Sequence, residues 1–425
     1  MTVTSGIKLR LAPEATYGTV PGGSGDYTEV RMTSEDLSPD LEYTESSAIR
    51  SDGQITEMIR TDAQGGGTIA GELCSDVVFN TLAAGSMLGA ATTVSAETAS
   101  ATAATATGDI PGYFNVDTGT PFSAFQVGMW IVVSSGAAAN RKVYKITSAA
   151  DTRIYVIGNA VATATAASTV FTPLTEYHNG KTVSSFTVCR QDSDDTDEVE
   201  QYSGMSPNSM DLTVPTTGII TYSFSMEGKK PTSEGSHPGS SHNASATTSP
   251  MAAADVIQFW EGDTDITDIA AGAGTDHPWA ENPFQLLDFS LTVTPNLRQR
   301  KTIGSIGPSS APGRGDIGVT GSFRCYYNSD ADGAAATRTN KALVDKALND
   351  TASSLAIYVK DAAGNGYIFD LPRVQFTSAN HTTPGKSEDV IVEVEFQAYR
   401  NSLEYNPSTG VDGTTIKIAK GTSLT

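Results

Sequence analysis

The chain has 425 residues, of which 38% are hydrophobic and only 18% charged, with 40 glycines. That length exceeds one ordinary core and indicates two or three domains, and the composition is that of turn-rich β proteins of cell surfaces and virions rather than of a disordered chain. With 48 acidic against 27 basic residues the net charge is −21, which argues against tight or sequence-specific nucleic-acid binding; it would suit a conduit that nucleic acid crosses without sticking, and a general solubility charge is an equal reading.

In chain order, a strand is predicted at 7–11, then a Gly/Pro-rich turn at 18–25 and a strand at 28–41 whose alternation is weakened by Ser34-Glu35-Asp36. Residues 42–67 are polar and end on Gly65-Gly66-Gly67. A connection that long is uncommon in a compact domain and usually carries function. A strand at 68–73 and a short helix at 77–88 come next. The stretch 90–176 has low-complexity Ala/Thr flanks, 91–107 and 160–169, around three predicted strands at 125–133, 142–147 and 153–157. It reads as a small inserted β domain on the outside, where insertions are tolerated. Strands resume at 182–188, 210–214 and 219–226, with an acidic loop at 192–200, and 231–250 is a Ser/Gly/His/Pro-rich linker. The second half opens near 256–260, has a polar span at 298–318 and a helix at 339–348, and places its best alternation at 390–399. There Val390, Val392, Val394, Phe396 and Ala398 face one way; Ile391, Glu393, Glu395, Gln397 and Tyr399 face the other.

The two halves resemble each other. Residues 34–41, Ser-Glu-Asp-Leu-Ser-Pro-Asp-Leu, align without gaps on 290–297, Ser-Leu-Thr-Val-Thr-Pro-Asn-Leu. Ile69-x-Gly71-x-Leu73 echoes Val319-x-Gly321-x-Phe323, and 184–188 matches 353–357. Tyr222, Phe224 and Met226 match Val394, Phe396 and Ala398. Four matches in one order indicate a β unit present twice, and a chain with two units can close a ring from half as many subunits.

Signals of chemistry are sparse. Cys74, Cys189 and Cys325 are far apart and form no CxxC pair, so buried free thiols are expected. The five histidines show no metal spacing; His237 and His242 fall in the linker and are expected to be solvated. The runs Asp192-x-Asp194-Asp195-x-Asp197 and Asn328-x-Asp330-x-Asp332-Gly333 resemble fragments of calcium loops without the bidentate Glu, and read as solvated turns. Glu393 and Glu395 lie two apart on one strand, which suits a polar wall rather than a glycosidase pair. No nucleophile elbow or phosphate-binding glycine loop is present, so no enzymatic activity, cofactor or metal is expected. The opening residues show no charged start followed by an apolar run, and 89–108 is too polar to span a membrane, so a soluble product of a cytoplasm without membrane anchor is expected.

The duplicated strand, long loop, strand, helix, strand, strand unit resembles the tail tube protein family of long-tailed bacteriophages. Residues 14–21, 31–37, 46–50 and Gly67-x-x-x-Gly71-Glu72-Leu73 carry that likeness too. The resemblance implies an all-β fold with short helices, in which tube units of β-sandwich and β-barrel type line a channel. On it, tube copy 1 spans 1–89 and 177–232, the insert 90–176, a linker 233–250, and tube copy 2 spans 251–425. It implies trimeric, pseudo-hexameric rings that stack into a tail tube for DNA ejection, assembled in the host cytoplasm with tape measure, tail terminator and distal tail proteins as partners. The long loop of each unit would reach the next ring, through Glu42, Glu45, Arg50, Asp52, Glu57, Arg60 and Asp62 in the first and Arg298, Arg300, Lys301 and Arg314 in the second. The first loop is acidic on balance and the second basic, a pairing suited to fixing rotational register. Thr221, Ser223, Ser225 and Glu227, with Glu393, Glu395 and Gln397, are the expected channel lining. A carbohydrate-binding or adhesive β-sandwich is the alternative; it needs exposed aromatics in one groove, and Trp130, Trp260 and Trp279 are scattered in sequence.

Overall fold

The computed structural model describes residues 6–104, 112–158, 161–192, 198–262, 286–327, 341–382, 385–386, 388–407 and 410–422. Trp279, Asp194, Asp195, Asp197 and the 328–333 run lie outside the described residues. The chain is almost entirely β, as expected. It begins with β1 (Ile7–Pro13), β2 (Tyr27–Glu29), β3 (Ser34–Glu35), β4 (Ser38–Glu45), β5 (Met58–Glu72), α1 (Val77–Ser86) and β6 (Ala91–Thr92). Then come β7 (Glu97–Ala104), β8 (Gly112–Val116), β9 (Trp130–Val133), β10 (Val143–Ala150), β11 (Arg153–Ile157), β12 (Ala164–Pro173) and β13 (Thr175–His178). The middle of the chain supplies β14 (Phe186–Asp192), β15 (Val199–Val214), β16 (Thr221–Lys229), β17 (Thr232–Glu234), β18 (His242–Asn243) and β19 (Val256–Gly262). The remainder forms β20 (Leu286–Thr294), β21 (Arg298–Arg300), β22 (Ser310–Gly313), β23 (Gly318–Tyr326), α2 (Lys341–Leu348), β24 (Ser353–Lys360), β25 (Gly366–Thr382), β26 (Ile391–Ala398), β27 (Asn401–Asn406), β28 (Val411–Thr414) and β29 (Lys417–Gly421).

Two antiparallel runs have the same strand order. In one, β1 pairs β14, β14 pairs β15, β15 pairs β16, β16 pairs β5, and β5 pairs β3 and β4. In the other, β19, β24, β25, β26, β23 and β20 follow each other likewise. The long strands β15 and β25 each turn a corner. Their first halves pair β14 and β24, and their second halves pair β16 and β26, with bulges at Pro207/Ser209 and Phe376/Ser378; a bulge bends the strand that carries it. α1 packs on β15 and α2 on β25. The Asp76 carboxylate caps α1 by accepting the Val78 N–H at 3.1 Å, which satisfies one of the orphan donors of the first turn. The runs join where β15 pairs β20, and one apolar core extends through both, from Leu9 and Phe79 to Phe323 and Phe396.

The pairing also fixes how the matching segments correspond. Ser34 faces Ala70 as Ser290 faces Ser322, in keeping with the gapless alignment. Tyr222, however, faces Gly71, whereas its counterpart Val394 faces Phe323. Gly71 therefore falls on Phe323 and not on Gly321, a slip of two residues that leaves every side chain on its own face.

The strands β7 to β12 form a closed barrel in the order β10, β11, β8, β7, β12, β9. Its interior holds Phe114, Phe122, Phe125, Tyr144, Ile146, Ile154 and Phe171. The Ala/Thr segments read as low-complexity flanks include two of its walls, β7 and β12. Ala101 and Ala103 point into the barrel and are buried, and β-branched threonine suits an extended backbone, so small residues here are an interior taper rather than a tether. The triple glycine also differs from expectation: it lies inside the 15-residue β5, not at the end of a polar connection between strands. A Cβ on Gly67, whose φ is +146°, would sit 2.7 Å from the Asp36 carbonyl oxygen, and one on Gly65 2.7 Å from that of Lys229. The stretch 231–250 is not a free linker, since β17 pairs β15 and β18 pairs β2.

Candidate functional site

Eight strands lie side by side in one band: β3 with β4, then β5, β16, β15, β20, β23, β26 and the second half of β25. Period-two alternation sends Tyr222, Phe224, Leu212, Leu291, Phe323 and Val394 into the core, under α1 and the β1–β14 layer. The other face is polar and mostly short. One row across it runs Glu72, Thr221, Thr213, Ser290, Ser322, Glu395, Ser378; the next runs Ala70, Ser223, Asp211, Thr292, Thr320, Gln397, Gln375. The candidate residues Thr221, Ser223, Ser225, Glu393, Glu395 and Gln397 all belong to this face, though they come from strands far apart in sequence. Thr221, Glu393, Glu395 and Gln397 are exposed, while Ser223, Ser225 and Glu227 are half-buried. Glu227 sits at the margin, where Asn208 Nδ2 (3.1 Å) and Gln299 Nε2 (3.3 Å) donate to its carboxylate. Asp211 is held on the face by the hydroxyls of Ser209 (2.7 Å) and Thr292 (2.6 Å).

The first long loop is mostly a hairpin that lengthens two strands of the band. Glu42 and Glu45 lie on β4, Arg60 and Asp62 on β5, Glu57 just before β5, and only 46–57 forms the tip. At the tip Arg50 and Asp52 pair with each other at 3.0 Å. In the second span Arg298 and Arg300 lie on β21, Lys301 follows, and Arg314 comes after β22, its carbonyl accepting from Arg298 Nη2 at 2.9 Å. The two loops meet within the chain through an ion pair between Asp62 and Lys301. That contact holds the Asp62 carboxyl below the usual carboxylate range and raises the Lys301 ammonium. The root of the second span borders a cleft of about 850 Å³ lined by Lys181, Asn208, Leu297, Arg298, Arg314 and Asp316 among others.

Charge was the signal read in these loops, but their exposed apolar side chains are the stronger one. Tyr43, Ile49, Ile55, Met58 and Ile59 on the hairpin, and Ile303 and Ile306 on the second span, all face solvent. Ile49 and Ile303 are as exposed as in an extended chain, at 101% and 107%. Exposed apolar side chains concentrated in two loops that an ion pair joins suit an interaction surface better than a solvated turn. Their residue types were visible in the sequence; what concealed them was their dilution among polar neighbours.

The three cysteines are free and buried, and burial pushes the thiols of Cys189 and Cys325 up to about 12. His237 is not solvated: its ring meets Tyr27 edge-on at 4.6 Å, its Nδ1 accepts from Gly239 N at 3.1 Å, and burial lowers it to about 4. Trp130 and Trp260, 130 positions apart in the numbering of the chain, lie 5.3 Å apart and are wholly buried, so they offer no exposed aromatic groove. They belong to a cluster that sequence reading missed, where the barrel seats on β24, β25 and β29. At its centre Lys145 contacts Asp370 (2.8 Å) and Glu404 (2.6 Å), and Lys417 contacts Glu404 (2.7 Å) and Asp370 (3.3 Å). Trp130 Nε1 donates to Asp370 at 2.8 Å and Trp260 Nε1 to the Gly158 carbonyl at 3.2 Å. Burial alone would raise Asp370, but the two ammonium groups hold it below its ordinary range.

The chemistry this arrangement offers is recognition between surfaces: a polar wall, two apolar-tipped projections and open strand edges. A family model described as phage tail tube protein matches residues 4–398. The chain belongs to the phage tail tube protein family. No curated protein matches it. This tail tube protein is accordingly a structural component of a bacteriophage virion, and its family assembles with itself and with other tail proteins into the tube. No described helix of it is long and apolar enough to cross a membrane.

Proposed function

We propose that this tail tube protein carries its tube unit twice, over 1–89 with 177–232 and over 251–425, and that three chains close a pseudo-hexameric ring whose stacked copies form the DNA-ejection channel. The observation that carries this reading is the eight-strand band with one bare polar face and, among the described residues, two unpaired edges. Three such bands give about 24 strands, which at a spacing of ~4.8 Å make a backbone ring about 37 Å across before strand tilt widens it. The helices and the β1–β14 layer pack on the core side of the band, and the barrel seats on the far side of β24, β25 and β29, so closure toward the bare face leaves all of them outside the ring. Thr221, Ser223, Ser225, Glu393, Glu395 and Gln397 then line the lumen, with Glu227 at its rim. Short hydroxyls and carboxylates dominate this face, and Arg324, which shares it, is paired with Asp288, so little free positive charge meets passing phosphates and DNA does not adhere.

The hairpin tip and the 301–309 turn project as the contacts between stacked rings. Their isoleucines supply burial, and Glu42, Glu45, Arg50, Asp52, Glu57, Arg60, Arg298, Arg300 and Arg314 supply orientation at the rim. Asp62 and Lys301 are committed to each other and brace the two loops. The protein has no catalytic role in this reading, is assembled in the host cytoplasm, and meets the tape measure, tail terminator and distal tail proteins inside and at the ends of the tube. Negative-stain electron microscopy across a concentration series tests it. Rings with three chains each, stacking into tubes about 40 Å per ring, the size of a ~150-residue unit, are expected; dispersed monomers at every concentration would overturn it.

A further inference from the structure

One seam inside the chain has no counterpart at its ends. β15 and β20 pair with Asp211 facing Thr292, Leu212 facing Leu291, Thr213 facing Ser290 and Val214 facing Phe289. In the second run β25 occupies the place of β15: Asn380 faces Glu393 as Thr213 faces Thr221. In the first run the segment 33–36 occupies the place of β20. Yet among the described residues no strand pairs the outer edge of β25 beyond Val374, nor the outer edge of 33–36. Exposure follows that difference. Leu297, beside the internal seam, is 8% exposed and its counterpart Leu41 is 37% exposed; Val214 is buried, whereas His381, in the matching place, is exposed.

We propose that residues 378–381 of β25 pair antiparallel with residues 33–36 of a second copy of this chain, in the register Ser378 to Asp36, Ala379 to Glu35, Asn380 to Ser34 and His381 to Thr33. The register is that of the internal seam carried over strand for strand, and it rests on the reading of the chain as a tube subunit. It keeps Ser34, Asp36, Ser378 and Asn380 on the polar face. It also preserves one contact with its partners exchanged: a threonine hydroxyl meets a carboxylate between Thr292 and Asp211, and here the Ser378 hydroxyl meets the Asp36 carboxylate. The seam stops at Asp36, because the Leu37 carbonyl already accepts from Arg190 Nη1 at 3.0 Å and Tyr202 Oη at 3.1 Å.

The two kinds of seam differ in character. The internal one buries Leu212, Val214, Phe289 and Leu291, whereas the external one offers Ala379, His381, Thr33 and Glu35, the last held by Arg190 at 3.0 Å. Short edges with an inward carboxylate resist indiscriminate strand addition, so the free subunit keeps its edges from random pairing until a matching edge arrives.

The test uses the full chain carrying Ser34→Cys and Asn380→Cys, whose α-carbons would lie within disulfide range across the seam. The native thiols are buried. Oxidised under assembling conditions, this variant is expected to give covalent dimers and trimers on non-reducing gels, while Ser34→Cys with Ala379→Cys, which point to opposite faces, gives none. The within-chain pair Thr213→Cys with Ser290→Cys, which shifts mobility without forming oligomers, calibrates the geometry. Amides of 33–36 and 378–381 in the unmodified protein are expected to gain hydrogen-exchange protection on assembly, a readout independent of whether the variants fold. Tubes without the Ser34/Asn380 cross-link and without that protection overturn the seam and leave the tube reading standing. A protein that stays monomeric at all concentrations overturns both.

Discussion

At the scale of single residues the least expected feature is the buried ion cluster. Lys145, Asp370, Glu404 and Lys417 are each at most 1% exposed, and burial of Lys417 is opposed by Glu404 and Asp370, which raise its ammonium well above its ordinary value. Removing one member of a buried ion set leaves an uncompensated charge, at a cost of about 3–5 kcal/mol. Lys417→Met is expected to destabilise the protein by roughly that amount in denaturant titration. Sequence reading could not find the set, because its members stand on separate strands and a lone lysine or aspartate in a strand reads as surface. His237 makes a pH-dependent contribution. Its folded value of about 4 lies below the unfolded one near 6.5, so between these values the unfolded chain binds more protons than the folded one. Its contribution is complete above about pH 6.5 and is lost as pH falls toward 4. Thermal midpoints of the unmodified protein should decline through that window, and His237→Phe should flatten the slope.

Among the elements, those with strong alternation or an amphipathic period were legible: β26, β16 and α2 lie close to their predicted positions, as does α1, whose period is only approximate, and β11 lies at its predicted bounds. The elements missed were those whose side chains are small. β7 and β12 carry Ala and Thr, and the glycines of β5 are required by close backbone approach rather than by a turn, so their composition suggested loops. The hairpin β4–β5 was likewise read as a polar loop, since both of its faces meet solvent in the single chain. That leads to a prediction at this scale. Replacing Ile49, Ile55 and Met58 together by Ser should leave the unfolding free energy of the subunit within about 0.5 kcal/mol, as for surface positions. The same variant should no longer form tubes by electron microscopy. A loss of subunit stability instead would mean that the tip packs on its own chain.

For the whole molecule, the inserted barrel and the last strands form one seat. β29 pairs both β25 and β13, and Trp260 and Tyr358 of the second run stack beneath Trp130 of the barrel. An insert expected on the outside suggests a dispensable decoration. The packing predicts otherwise: deleting 94–173 behind a short linker would expose Trp260 and Ile368 and leave Asp370 without Lys145. The truncated chain is expected to lose roughly 3 kcal/mol or more and to aggregate, measured by denaturant titration and light scattering; an equally stable truncation would show the barrel to be an independent unit.

The sequence by itself determined the fold class, the repeated motifs and the alternating faces, because period-two patterning and turn residues are local properties of the chain. It also carried the family resemblance. The tertiary structure alone decided which strands stand side by side in the polar band, the slip of two residues at Gly71, the pairing of Asp62 with Lys301 and the seat of the barrel. These depend on contacts between residues tens to hundreds of positions apart, where several arrangements satisfy the same local pattern and only packing, register and charge compensation choose among them.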